Sequence, residues 1–62
     1  MKVRDMLKLL RFDGWFLVRQ RGSHRHFQHD HKPGTVTVPG KPNDDLHPKT
    51  QATILKQAQL EE

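Results

Sequence analysis

The 62-residue sequence contains no cysteine, no internal repeat and no apolar run long enough to cross a membrane. Without cysteine, neither disulfides nor thiolate-bound zinc can stabilise the fold, and nothing indicates an oxidising compartment. The N-terminal segment MKVRDMLKLLRFDG interrupts its apolar residues with charges, unlike a signal peptide. A chain of this length buries only about 60% of the surface that its unfolded form exposes. We therefore expect one cytoplasmic domain of modest stability, residues 1–62, with residues 60–62 as a frayed tail and no membrane contact.

Charge is unevenly distributed along the chain. Residues 1–42 contain nine Lys and Arg and three Asp and Glu, a net charge of +6, whereas residues 43–62 have a net charge of −2. A basic surface attracts phosphates because binding releases counterions from the nucleic acid. Charge alone is equally compatible with a highly soluble domain that binds no nucleic acid.

Two segments carry apolar residues at the spacing of an amphipathic helix. The first extends from about residue 3 to residue 13 and ends at an Asp-Gly pair; its apolar stripe consists of Val3, Met6, Leu7 and Leu10. The second follows Pro48, which suits a first helical turn, and its apolar face consists of Gln51, Ile54, Leu55 and Ala58. A basic stripe beside the first apolar stripe, which either contacts phosphates or is simply solvated, consists of Arg4, Lys8 and Arg11.

Three segments between the helices predict strands. WFLVRQ (15–20), HRHFQH (24–29) and TVTVP (35–39) are rich in aromatic and β-branched residues or alternate apolar with polar ones. The turn RGS separates the first two strands, and KPG (32–34) precedes the third. The order α-β-β-β-α predicts a small α+β domain, with a three-stranded antiparallel sheet and both helices on one face.

Strand alternation predicts a polar outer face for this sheet. If Phe27 points into the core with the valines of the third strand, then His24, His26 and Gln28 point to the opposite face, together with Thr35 and Thr37. By the same alternation Arg25 shares the face of Phe27. It reaches a ligand on the polar face only if the strand begins after Arg25 or bulges there.

The stretch RQRGSHRHFQH (19–29) permits three interpretations: a solvated hairpin, a metal site or a catalytic centre. For a metal site, His24 and His26 share a face, but His29 and His31 are offset by an odd number of residues, and the interleaved arginines repel a dication. We therefore expect no metal and no cofactor. His29, His31 and His47 are better explained as surface histidines without a special role.

A catalytic centre for RNA cleavage needs a group that titrates near neutrality, together with donors for a negatively charged transition state. The imidazole of His24 meets the first requirement, although an isolated strand histidine is more commonly structural. Nearby side-chain and turn donors, which meet the second, are Arg19, Arg21 and Arg25 with the backbone N–H groups of Gly22 and Ser23. His26, on the same face, is a candidate for the second acid or base.

The segments DGWFLVRQRGSHRHF, TVTVP and ILKQA together resemble the HicA family of bacterial toxins, over about residues 3–58. The resemblance implies a double-stranded-RNA-binding-like fold and mRNA interferase activity centred on the histidine of G-S-H, which is His24. It also implies that Gly22 and Ser23 present this histidine, that Arg19 and Arg21 frame it, and that a HicB antitoxin is the partner. The sequence departs from the family pattern where Val3 replaces a small hydroxyl residue and where Lys49 and Gln59 replace glycines, changes that affect helix capping.

We therefore predict a toxin ribonuclease, monomeric when free, that cleaves mRNA without metal and leaves a 2′,3′-cyclic phosphate and a 5′-hydroxyl. His24 acts as general base or general acid, and Arg19, Arg21, Gly22, Ser23, Arg25 and His26 contact the RNA. A HicB-type antitoxin is expected to cover His24. Two alternatives are a noncatalytic RNA-binding module of the same fold and a protein-interaction domain whose basic face docks an acidic partner.

Overall fold

Two helices and three strands follow one another in the order α-β-β-β-α in the computed structural model, which describes residues 1–61. Their bounds are α1 Val3–Phe12, β1 Phe16–Arg21, β2 His24–Gln28, β3 Val36–Val38 and α2 Pro48–Gln57. The sheet is antiparallel, in the order β1-β2-β3, so that β2 is the central strand. The predicted α+β fold and its order of elements are confirmed.

The core lies between both helices and the inner face of the sheet, which is the face that carries Phe27. A single cluster joins the apolar stripe of α1 with side chains from β2, β3, α2 and the connecting segments. Its buried members are Val3, Met6, Leu7, Leu10, Trp15, Phe27, Val36, Val38, Leu46, Ile54 and Ala58. Trp15 was expected to begin β1. Instead its backbone N–H donates to the carbonyl of Leu10 at 2.9 Å, so Trp15 closes the end of α1 and fills the core.

The backbone of the 42–44 segment caps the N-terminus of α1. The N–H groups of Val3 and Arg4 donate to the carbonyl oxygens of Asp44 and Pro42 at 2.9 Å and 3.0 Å. These bonds satisfy donors that have no partner inside the helix. A hydroxyl side chain is therefore not needed at this end, and Val3, only 1% exposed, belongs to the core instead.

The C-terminus of α2 ends in a Schellman motif. The N–H of Leu60 donates to the carbonyl of Leu55 at 2.9 Å, and that of Gln59 donates to Lys56 at 3.1 Å. Gln59 has φ = 55°, the left-handed conformation that glycine adopts at no steric cost. Leu60 was placed in a frayed tail, but it packs against the core and is held by this motif. Glu61 is exposed, and residue 62 lies outside the described residues.

Two of the three histidines assigned to the surface have structural roles. The Nε2 atom of His29 lies 2.6 Å from the carbonyl oxygen of Asp13, and its Nδ1 accepts from the N–H groups of His31 and Lys32 at 3.0 Å and 3.2 Å. This pattern places the proton on Nε2, because Nδ1 is occupied as an acceptor. His47 caps α2, accepting from the N–H of Lys49 at 3.1 Å. The expectation that these histidines have no special role was wrong for both, whereas His31 is exposed.

Asp13 connects the end of α1 to the segment that follows β2. Its carboxylate accepts from Nζ of Lys32 at 2.6 Å and from Nε1 of Trp15 at 3.1 Å. Lys32 also donates to the carbonyl of Ala58 at 3.1 Å, which brings α2 into the same network. The Lys32 ammonium lowers the pKa of Asp13 below its ordinary value of 3.8, chiefly through its hydrogen bond to the carboxylate and also through its charge. Burial opposes this effect by raising the pKa, and Trp15 and His29 lower it by smaller amounts.

One edge of the molecule exposes apolar side chains. Phe12, the last residue of α1, is 94% exposed, and Phe16, Leu17 and Val18 at the start of β1 are between 44% and 49% exposed. β1 is an edge strand, and all six of its residues are exposed. Among residues 1–61, neither helix is long and apolar enough to cross a lipid bilayer.

Candidate active site on the outer face of the sheet

A two-residue turn sets the register of the β1–β2 hairpin. Gly22 and Ser23 connect Arg21 to His24, which are opposite each other as the closing pair. Gly22 has φ = +58°, as the first position of a type II′ turn requires. Counting back from the turn, Arg19 is opposite His26. Because directly opposite residues of an antiparallel pair point to the same face, Arg19, Arg21, His24 and His26 share the outer face.

A β-bulge at Val18 changes the start of β1. The register shifts between Leu17 and Arg19, so that Leu17 rather than Val18 is opposite Phe27. Val18 is the extra residue and joins the outer side, and Phe16 is opposite Gln28 on that same face. Bulges bend a strand and redirect its side chains, often beside active sites. Here the bulge adds two apolar side chains to a face that is otherwise polar.

His24 is exposed at the end of the outer face where the turn begins. His26 is half-buried in the middle of this face, and its Nδ1 lies 3.1 Å from Oγ1 of Thr37, its partner on β3. The two imidazoles are separated by one residue along β2, a spacing of about 7 Å. The Thr37 bond fixes the orientation of the His26 ring and leaves its Nε2 for other partners.

The inner face holds the turn in position. Gln20 and Arg25 are opposite each other on that face, and both bind turn carbonyls: Nε2 of Gln20 donates to Gly22 at 3.1 Å, and Nη1 of Arg25 donates to Ser23 at 3.2 Å. Nη1 of Arg25 also donates to the carbonyl of Gly40 at 2.8 Å. β2 begins at His24, before Arg25, and its pairing with β1 has no bulge at Arg25. Neither condition under which Arg25 would reach the polar face is met. The prediction that Arg25 contacts the RNA with the other site residues is therefore wrong, because its side chain is on the inner face.

The outer face is electropositive. None of the residues in the three strands is acidic, and the cationic groups on this face are Arg19 and Arg21. Within residues 1–61, the N–H groups of Gly22 and Ser23 make no hydrogen bond, so they are available as donors next to His24. No three potential metal-ligating side chains come together in the part of the chain that the structure describes.

A shallow depression lies on the outer face on the far side of His26 from His24. It has a volume of about 390 Å³ and is lined by Val18, Arg19, His26, Gln28 and Thr35. Sequence alternation predicted three of these residues on one face, Gln28 and Thr35 among them. It did not predict that Val18 forms a wall, because the bulge has no simple signature in FLVRQR.

The comparison with protein families decides what kind of domain carries this site. A family described as HicA toxin of bacterial toxin-antitoxin matches residues 3–60, from the first residue of α1 to the last residue of the Schellman motif. The chain belongs to the HicA toxin family. Toxins of this family are generally nuclease-like, and a toxin-antitoxin system implies an antitoxin partner for this HicA domain. A comparison with curated proteins found no match.

Within this HicA domain, the predicted site residues fall into two groups. Those brought together on the outer face or its turn are Arg19, Arg21, Gly22, Ser23, His24 and His26. Arg25 is separated from them on the inner face. Sequence reasoning missed the orienting bond from Thr37 to His26 and the Val18 bulge. The two-residue Gly-Ser loop was the available signal for the register, because loop length in a hairpin fixes which residues are opposite.

Proposed function

We propose that this HicA toxin is a metal-independent endoribonuclease that cleaves mRNA and uses His24 as its general acid or base. The observation that carries the proposal is that His24 is exposed beside a Gly-Ser turn, directly opposite Arg21, on a face without carboxylates. An exposed imidazole can exchange protons near neutrality. An arginine at the same place can bind the phosphate on which the proton transfer acts.

The proposed reaction is an attack by the ribose 2′-hydroxyl on the adjacent phosphorus. A base removes the 2′-proton, the new P–O2′ bond forms, and the P–O5′ bond breaks while an acid protonates the departing 5′-oxygen. The products are a 2′,3′-cyclic phosphate and a 5′-hydroxyl, with no net gain or loss of protons. This route requires two proton transfers and stabilisation of a dianionic transition state, and it consumes no co-reactant.

His26 is the proposed partner of His24 in these transfers. Both imidazoles are on the outer face, about 7 Å apart along β2. The hydrogen bond between His26 Nδ1 and Thr37 Oγ1 engages one ring nitrogen and orients the other. Such an orienting contact is a usual feature of catalytic imidazoles.

Arg19, Arg21 and the N–H groups of Gly22 and Ser23 are the proposed phosphate donors. Backbone N–H groups in a tight turn can bind an oxyanion, and fixed donors stabilise charge that develops in the transition state. Arg25 has a different proposed role. Its bonds to Ser23 and Gly40 position the turn from the inner face, so it acts on catalysis through the geometry of Gly22 and Ser23.

The proposed inhibitor is a HicB-type antitoxin that covers His24 in the cytoplasm, where the free toxin is monomeric. The basic outer face favours an acidic partner surface, because charge complementarity accelerates association and orients the partner. Phe12, 94% exposed, and the apolar start of β1 add a surface that a protein partner can bury. The polar outer face and the apolar edge meet at β1, so one partner can contact both.

Incubation of the purified chain with a defined single-stranded transcript in excess EDTA tests the proposal. We expect fragments that carry 2′,3′-cyclic phosphate and 5′-hydroxyl ends. RNA binding without cleavage would favour the second candidate, a noncatalytic RNA-binding module, which the same basic face supports. Neither cleavage nor binding would favour a protein-interaction domain. Cleavage that EDTA abolishes would contradict the metal-independent mechanism.

A further inference from the structure

The shallow depression beside His26 is a second feature of the outer face, separate from the turn and His24. We propose that it receives one unpaired nucleobase of the RNA strand and that Gln28 contacts the edge of that base, so that the depression contributes to cleavage preference. This inference rests on the proposed function, because it assumes that RNA lies across the outer face. It adds a base-binding subsite to the proton-transfer and phosphate-binding groups already described.

The lining has the chemistry of a base-binding site. Val18 provides an apolar wall, and the amide of Gln28 offers both donors and an acceptor, as every nucleobase edge requires. The hydroxyl of Thr35 adds a further donor or acceptor. Single-stranded RNA is recognised in this way, with splayed bases that stack on side chains and form hydrogen bonds along their edges.

Phe16 adds an exposed aromatic ring to the outer face beside Gln28, which lines the depression. It is opposite Gln28 on the outer face and is 44% exposed. Apolar side chains that are exposed together on an otherwise polar face are typical of a binding surface, and aromatic rings stack on nucleobases. The bulge that places Val18 outside also sets Phe16 opposite Gln28, so one backbone irregularity supplies both apolar groups.

The position of the depression fits a nucleotide next to the cleaved bond. His26 belongs to both the depression and the proposed catalytic pair, and Gln28 is two residues further along β2. Gln28 is therefore about 7 Å from His26 and about 13 Å from His24 along the strand. A base that occupies the depression leaves its own sugar and phosphate near His26 and directs the chain towards His24.

A phosphate is the competing occupant, because Arg19 also lines the depression. Arg19 is the only cationic arginine or lysine among the lining residues, and Val18 and Gln28 offer no charge to a second anionic oxygen. A nucleobase uses the apolar wall and both the donor and the acceptor of the amide, whereas a phosphate uses only the amide donor. The two occupants differ in a measurable respect: only base binding depends on the presence of the base.

The test measures binding of single-stranded RNA oligonucleotides in which each base in turn is removed and the sugar-phosphate backbone is kept. The protein carries His24→Ala so that no RNA is cut, and the scan is repeated with Gln28→Ala added. We expect base removal at one position to weaken binding about tenfold, and Gln28→Ala to reduce that loss to about threefold or less. Gln51→Ala, a glutamine on α2, is the matched control and should leave the scan unchanged. Circular dichroism and thermal melts verify that each variant is folded.

The outcomes separate this inference from the proposed function. If the chain bearing His24 cleaves RNA but no position in the scan depends on Gln28, the subsite is wrong and the nuclease assignment stands. If the chain does not cleave RNA but one base position depends on Gln28, the subsite stands and the nuclease assignment fails. A scan in which base removal has no effect at any position is the result expected of a phosphate in the depression, and it overturns the inference.

Discussion

Arg21 is directly opposite His24, and the two residues close the Gly-Ser hairpin turn. Because the pair closes a two-residue turn, neither side chain can move to the inner face without unpairing the end of the hairpin. Their Cβ atoms are about 5 Å apart, the usual separation of opposite residues in an antiparallel pair. A phosphate held by Arg21 is therefore within reach of the His24 imidazole. This pairing is the geometric basis of the role in RNA binding that we propose for Arg21.

Replacing Arg21 with glutamine should weaken RNA binding for all sequences alike. A phosphate contact contributes affinity through counterion release, so its loss should reduce the slope of log Kd against log salt concentration by about one. Binding titrations over a salt series measure this slope. Lys56→Gln, on α2, removes the same charge away from the outer face and is the control. An equal slope for Arg21→Gln and the parent would show that Arg21 is only solvated.

Hydrogen exchange should locate the antitoxin on the outer face of the sheet and on the adjoining apolar edge, which includes the Phe12 end of α1. An antitoxin that covers His24 and this edge slows exchange in β1, in the turn and at the end of α1, whereas residues 47–62 should exchange at the same rate with and without the partner. The measurement compares the free toxin with the intact complex. Protection confined to α2 would contradict occlusion and would mean that the antitoxin acts from a distance.

Acid should weaken the fold through Asp13. Its folded pKa lies below 3.8, so the stability that it contributes is fully present above that pH and is lost as the pH falls through the folded value. Asp13→Asn should therefore lower the free energy of unfolding at neutral pH, and the difference from the parent should shrink in acid. Chemical denaturation over a pH series measures both curves. Asp45→Asn removes an ion pair with Lys2 and should have little effect, because the Asp45 side chain is 74% exposed. Parallel curves for Asp13→Asn and the parent would disprove the role of Asp13.

Gln59→Gly should stabilise the domain. Gln59 adopts φ = 55° in the Schellman motif, a conformation that costs a residue with a Cβ about 1 kcal/mol or more relative to glycine. The substitution should raise the thermal midpoint by about 4–8 °C. Ala52→Gly, in the interior of α2, should instead destabilise by about 1 kcal/mol, because the backbone there is helical. A midpoint that falls with Gln59→Gly would contradict this description of the helix end.

Periodic features of the chain could be predicted from the sequence. The apolar stripe of α1 and the alternation of β2 and β3 identified the core, since Val3, Phe27 and Val38 are all buried as expected. The same alternation placed His24 and His26 together. These predictions succeeded because a buried face requires a regular repeat of apolar residues, which can be read without knowing the partners.

Features that depend on distant partners could not be predicted. His29 has a structural role because its ring reaches the carbonyl of Asp13, sixteen residues earlier in the chain. The cap of α1 comes from the backbone at Pro42 and Asp44, which leaves no trace in side-chain identity. The Val18 bulge makes Leu17, rather than Val18, pair with Phe27, and nothing in the segment FLVRQR indicates it. Each of these features is decided by tertiary contacts rather than by local pattern.

The rate of transcript cleavage by His24→Ala in EDTA tests the central claim most directly. General acid–base catalysis contributes about 100-fold or more, so we predict at least a 100-fold loss of cleavage with an unchanged thermal midpoint, because His24 is exposed. His31→Ala removes another exposed histidine and should cleave at the parental rate. A His24→Ala variant that cuts as fast as the parent would contradict the assignment of His24 as the catalytic residue.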